Sequence, residues 1–209
     1  MSSISILFFA VLIIVQIHGY EAQGSKYPQL RAKTLNAHCQ LEPSTGLPPE
    51  QRIVRGAVSF SQQCRLRYSW KWGREVWFCS NLLVSVTVDG LPLDGSIDHG
   101  FHVHEKGDLS TGCGSTGGHF NPEGVNHGAP GDRIRHVGDF GNLRQNNVGS
   151  IKETFHDSRA VLFSSRNNII GRAIVIHAGK DDLGTGGDAG SRASGNAGAR
   201  LACCVIGYA

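Results

Sequence analysis

The chain has 209 residues, 28 of them glycine, and 40% are hydrophobic, which suits one well-buried domain of short strands and turns and excludes a helical bundle. The formal charge of +3 is too mild to mark a nucleic-acid binder, and no nucleic-acid partner is expected. No internal repeat or heptad pattern runs through the sequence.

The chain opens with MSSISILFFAVLIIVQIHGYEAQG. Its apolar stretch from Ile4 to Val15 is too short to span a bilayer, and small residues follow at Gly19, Ala22 and Gly24. Residues 1–24 therefore read as a secretory signal peptide, and the protein as secreted and extracellular. Nothing later in the chain could span a membrane, and no Asn-x-Ser/Thr sequon is present. Residues 25–36 read as an N-terminal extension and 37–209 as the domain.

Residues 49–62 alternate apolar and polar positions as a strand does, and residues 83–88 do the same. Between them lies QCRLRYSWKWGREVWFCSN. Here Arg65, Arg67, Ser69 and Lys71 alternate with Leu66, Tyr68, Trp70 and Trp72, so residues 63–82 predict a projecting hairpin. Two registers are open: a two-residue turn at Gly73 and Arg74 sets Cys79 opposite Tyr68, and a four-residue loop from Trp70 to Gly73 sets it opposite Cys64. All three tryptophans of the chain lie in this segment, among Arg65, Arg67, Lys71 and Arg74 with Glu75 as the one acid. Residues 64–79 are accordingly a candidate surface for polyanions.

Residues 100–139 hold the chemistry. His102 and His104 flank a valine in an apolar run, and on a strand both imidazoles project from one face. His119, His127, His136 and Asp139 follow on a stretch rich in Gly, Pro and Asn, which suits a long loop folded back on itself. Three imidazoles and a carboxylate make a tetrahedral zinc set, and several neutral imidazoles, His177 among them, suit copper. Two adjacent metal sites are expected, one structural and one redox-active. Residues 149–155, 160–164 and 168–177 read as further strands, and a second long glycine-rich loop runs from Asp181 to Arg200.

The segments GFHVHE-x-GD, GC, GGHFNP, HG, RHVGDFGN, IIGRAIVIHAGKDDLG and GNAGARLAC-x-VIG resemble the copper/zinc superoxide dismutases in the same order. The resemblance implies an eight-stranded antiparallel Greek-key β-barrel with two long functional loops. It implies copper on His102, His104, His119 and His177, zinc on His119, His127, His136 and Asp139, and a shared imidazolate at His119. Dismutation of superoxide to oxygen and hydrogen peroxide is the implied activity. A secreted metal-carrying or pattern-recognition protein with weak dismutase activity is the alternative, and Arg200, placed by the resemblance beside copper to attract the anion, argues against it. Asp181 is implied to accept hydrogen bonds from His102 and His127, and a homodimer is the family habit.

The resemblance also assigns a disulfide between Cys113 and Cys203, and sets Cys39 beside Cys204 on neighbouring barrel strands. Cys64 and Cys79 remain for each other. Against the family, residues 63–82 are an insertion, Lys106 replaces a frequent aromatic, and the acidic pair of the steering loop is replaced by the stretch from Asp188 to Arg192.

Overall fold

A computed structural model describes residues 32–163 and 165–209. The expected signal peptide and residues 25–31 lie outside the described residues. Eight strands form one antiparallel path: β1 (Ala32–Pro43), β2 (Arg55–Ser69), β4 (Leu82–Asp89), β5 (Asp98–His104), β7 (Asp139–Arg144), β8 (Ile151–Asp157), β9 (Ala173–His177) and β10 (Arg200–Val205). Their spatial order is β7-β5-β9-β10-β1-β2-β4-β8. The connections from β4 to β5 and from β8 to β9 join strands that are not neighbours, which is Greek-key topology. The edge strands β7 and β8 approach each other, with Arg144 N donating to Glu153 Oε1 at 2.9 Å and Phe140 packed edge-on to Phe155, so the barrel is nearly closed.

The core follows from alternation. Val58 and Phe60 on β2, Val84, Val86 and Val88 on β4, Phe101 and Val103 on β5, and Ile174 and Ile176 on β9 point inward and are buried. Short elements complete the chain: β3 (Arg74–Cys79) pairs with β2, β6 (Ser110–Cys113) lies in the first long loop, α1 (Ala189–Ser194) in the second, and β11 (Gly207–Tyr208) pairs with β1.

Several boundaries differ from the sequence reading. Strand β1 begins at Ala32, five residues before the expected domain start, because residues 32–36 pair with residues 61–65 of β2. The strand expected over 49–62 begins only at Arg55, since proline at 48 and 49 starts a 3-10 turn over Pro49–Gln51. Within 160–164 the described residues form one isolated bridge, from Val161 to Asn168. Side chains take up the backbone there instead of a ladder: Asp157 Oδ1 accepts from Ala160 N and Gln62 Oε1 from Leu162 N. The strand expected from 168 starts at Ala173, after a turn in which Arg172 N donates to Ile169 O.

The hairpin is an extension of the barrel wall. Strand β2 continues without a break into it, and β3 returns with Cys64 opposite Cys79 and Ser69 opposite Arg74. The four-residue loop is therefore the register adopted, and Gly73 supplies the left-handed backbone that turns the chain into β3 (φ 60°). Disulfides join Cys64 to Cys79, Cys39 to Cys204 and Cys113 to Cys203.

Candidate metal centre

On β5 the alternation that sends Phe101 and Val103 inward turns His102 and His104 to the outer face. They are nonetheless buried, because the two long loops fold over that face. His177 ends the adjacent strand β9, and His119 meets His104 through an isolated antiparallel bridge. His136 and Asp139 bracket the turn into β7, and His127 is held by a bond from its N to Arg192 O on α1.

These side chains form two groups. His102, His104, His119 and His177 each offer one atom, and the four atoms lie within 4.8 Å of one another; so do atoms of His119, His127, His136 and Asp139. In nearly every ring one nitrogen is committed outward, which fixes the tautomer and presents the other. His104 Nδ1 donates to Gly117 O (2.9 Å), His177 Nδ1 to Gly198 O (3.1 Å) and His136 Nε2 to Val125 O (3.0 Å). Asp181 serves both groups at once, accepting from His102 Nε2 at 2.9 Å and from His127 Nε2 at 2.8 Å.

Metal ions fit what these commitments leave over. With both Nδ1 protons engaged, His104 Nε2 and His177 Nε2 face each other at 3.3 Å as two acceptors. His102 Nδ1 and His119 Nε2 are buried with no hydrogen-bond partner among the described residues. Four lone pairs thus converge where no donor of the described residues reaches, a costly arrangement unless a cation sits among them. In the second group three Nδ1 atoms, of His119, His127 and His136, crowd within 2.9 to 3.1 Å of the single oxygen Asp139 Oδ1. One cation satisfies all four atoms better than protons can.

Electrostatics separate the groups. Burial pushes His102 and His104 well below the usual imidazole value, with His119 adding to the effect, and burial takes His177 down to about 4, so these rings are neutral and keep a lone pair to offer. Burial alone would lower His127 as well, but its contacts with the Asp139 and Asp181 carboxylates raise it to about 9. Burial would raise Asp139, and the three imidazoles around it reverse that, holding it well below the carboxylate range.

Arg200 opens β10 opposite His177. Half-buried, it donates through Nη1 to Cys113 O (2.7 Å) and Thr116 Oγ1 (3.0 Å), and through Nη2 to Gly117 O (2.7 Å), the carbonyl that also holds His104. Its charge thus lies one carbonyl away from a ring of the first group. Asp188 turns out to be the N-cap of α1, accepting from Ser191 N at 2.8 Å.

Three contributors escaped the sequence reading. Gly195, the left-handed C-cap of α1, lies so close to the bridge that an added Cβ would fall 1.7 Å from Asp181 Oδ1. Asn142 fixes the Asp181 backbone in both directions, at 2.8 and 2.7 Å. His99 holds His177 O through Nδ1 at 2.7 Å. None carries a local signal, since each acts through a partner distant in sequence.

Residues 54–206 match the family described as copper/zinc superoxide dismutase. The chain belongs to that family. It is 55% identical over 129 residues to a copper/zinc superoxide dismutase of Schizosaccharomyces pombe, covering 62% of this chain and 83% of the relative. It is 40% identical over 183 residues to an extracellular copper/zinc superoxide dismutase of Rattus norvegicus, covering 87% of this chain and 66% of that one. A solved structure of the clock protein EA4 superposes with a TM-score of 0.66 at 38% identity, over 83% of this chain and 94% of the other. The activity is therefore dismutation of superoxide, with copper and zinc as cofactors. The carrier or pattern-recognition alternative is not favoured.

Proposed function

We propose that His102, His104, His119 and His177 hold the copper, that His119, His127, His136 and Asp139 hold the zinc, and that His119 belongs to both sets. The observation that carries this reading is the His119 ring. Its Nδ1 is 2.9 Å from Asp139 Oδ1 while its Nε2 is the orphaned atom facing the other histidines, so one imidazole serves two groups. An all-imidazole set suits copper, and three imidazoles with a carboxylate suit zinc.

When bound, copper supplies a one-electron couple and zinc a fixed positive charge. The overall reaction takes two superoxide anions and two protons to one oxygen and one hydrogen peroxide. Arg200 draws the anion toward the first group by its charge, and its bond to Gly117 O holds the loop that orients His104. His119 Nε2, without a protein partner, is the atom at which a proton can be held and given up. Asp181 couples the two groups by fixing His102 and His127 together.

Metal analysis of purified variants tests the assignment. His104→Ala should lose copper and keep zinc, and His136→Ala should lose zinc first; equal loss of both metals in both variants would refute it.

Secretion is part of the proposal, supported by the three disulfides and by relatives described as extracellular. So are a homodimer and the binding of polyanions through residues 64–79, the latter supported by four basic side chains against one acid. No helix among the described residues is long and apolar enough to cross a membrane.

A further inference from the structure

The hairpin formed by the end of β2 and by β3 is the largest feature that the metal chemistry does not use. Its base is clamped by the Cys64–Cys79 disulfide and by Ser80 N donating to Gln63 O at 2.8 Å, so it projects as a held arm. Among the described residues, the barrel leaves the aromatic side chains of the hairpin's tip uncovered. Trp70 is 90% exposed, Trp72 56% and Tyr68 51%, with Phe78 and Trp77 also open to solvent. Nonpolar surface of this kind on a projecting tip is uncommon without an apolar or interfacial partner.

The charges are arranged around that tip. Arg65 and Arg67 lie on one face of the stem, sharing it with Arg74 and Phe78 across the ladder, and Lys71 sits in the loop with its ammonium 5.5 Å from the Trp72 ring. On the other face Lys33 of β1 lies 4.6 Å over Trp77. Glu75, opposite Tyr68, is the one acid. The order along the arm is therefore an aromatic loop at the end and a cationic collar behind it. A linear glycan would be matched by a row of cations with no need for the tip. Tryptophans in advance of arginines instead match the layers of an anionic bilayer, where indole rings settle at the headgroup level and guanidinium groups meet phosphates.

We propose that this hairpin is an interfacial membrane anchor: Trp70 and Trp72 seat among the headgroups of an anionic lipid bilayer, and Arg65, Arg67, Lys71 and Arg74 pair with its phosphates. This deepens the polyanion reading, on which it rests, and leaves the metal groups untouched. Docking would hold the enzyme at a lipid surface, placing the removal of superoxide beside the unsaturated chains that such oxidants endanger.

All three tryptophans of the chain lie in the arm, so selectively excited tryptophan fluorescence reports on it alone. The metallated protein, wild type and Trp70→Ala/Trp72→Ala, is floated with vesicles of phosphatidylcholine, with and without about one-third phosphatidylserine, and passed over heparin, while superoxide consumption is followed on the same samples. The wild type should bind the anionic vesicles about tenfold better than the neutral ones, with a blue shift in emission. The double variant should lose most of that binding while keeping its heparin retention and its superoxide consumption. Equal vesicle binding by the two proteins, or retention on heparin with no vesicle binding by the wild type, would overturn the anchor. The second result would leave a polyanion site standing. Loss of superoxide consumption in the wild type would bear on the catalytic assignment instead.

Discussion

Asp181 sits where the two groups meet, each carboxylate oxygen taking one ring proton, from His102 and from His127. Burial would raise its pKa, but those two hydrogen bonds hold it below the usual carboxylate range, so it stays an anion. In Asp181→Asn one side of the amide is a donor, so one ring must turn its proton inward and lose its ligating lone pair. Metal affinity should fall by about 10- to 100-fold, measured by competition with a chelator, in whichever of the two groups the amide nitrogen faces. In the proposed reading Arg200 acts through its field. Arg200→Glu should slow superoxide consumption by about tenfold at low salt and make added salt raise the rate where it lowers that of the wild type, with metal content retained. An unaltered salt response, followed by stopped-flow absorbance, would remove the arginine from substrate guidance.

Among the elements, legibility followed locality. His102 and His104 could be read as a pair because strand periodicity alone puts them on one face, and the period-two pattern from Arg65 to Trp72 gave the hairpin. The hairpin register was undecided because both loops satisfy the same alternation, and the ladder from Cys64 opposite Cys79 to Ser69 opposite Arg74 decides it. Likewise the apolar residues Ala160 and Leu162 are buried without being strand, because Asp157 and Gln62 side chains, invisible to a local pattern, take their backbone donors. The loop carrying Cys113 and Thr116 is tied to β10 by the Cys113–Cys203 disulfide and by Arg200. That bridge spans 90 residues and the Cys64–Cys79 bridge spans 15. On the loop-closure argument the Cys113→Ser/Cys203→Ser variant should lose about 4 to 5 kcal/mol, and the corresponding hairpin variant about 3 or less. Urea midpoints of the two variants check the order, and a larger loss in the hairpin would contradict it.

At the scale of the whole molecule, a nearly closed barrel supplies the rigid frame and two loops supply the burial that its outer face otherwise lacks. The all-β class was readable from glycine content and alternation, but the barrel and its strand order were implied only by resemblance, since alternation says nothing of which strands neighbour. The same loops that cover β5 leave four histidine nitrogens converging without donors, and the family to which the chain belongs uses copper and zinc for superoxide dismutation. The most direct test is one preparation of the purified protein, assayed for copper and zinc per chain and for superoxide consumption. The account predicts about one of each metal and catalytic turnover that disappears on chelation and returns with copper. Protein carrying both metals in full that consumes no superoxide would contradict it.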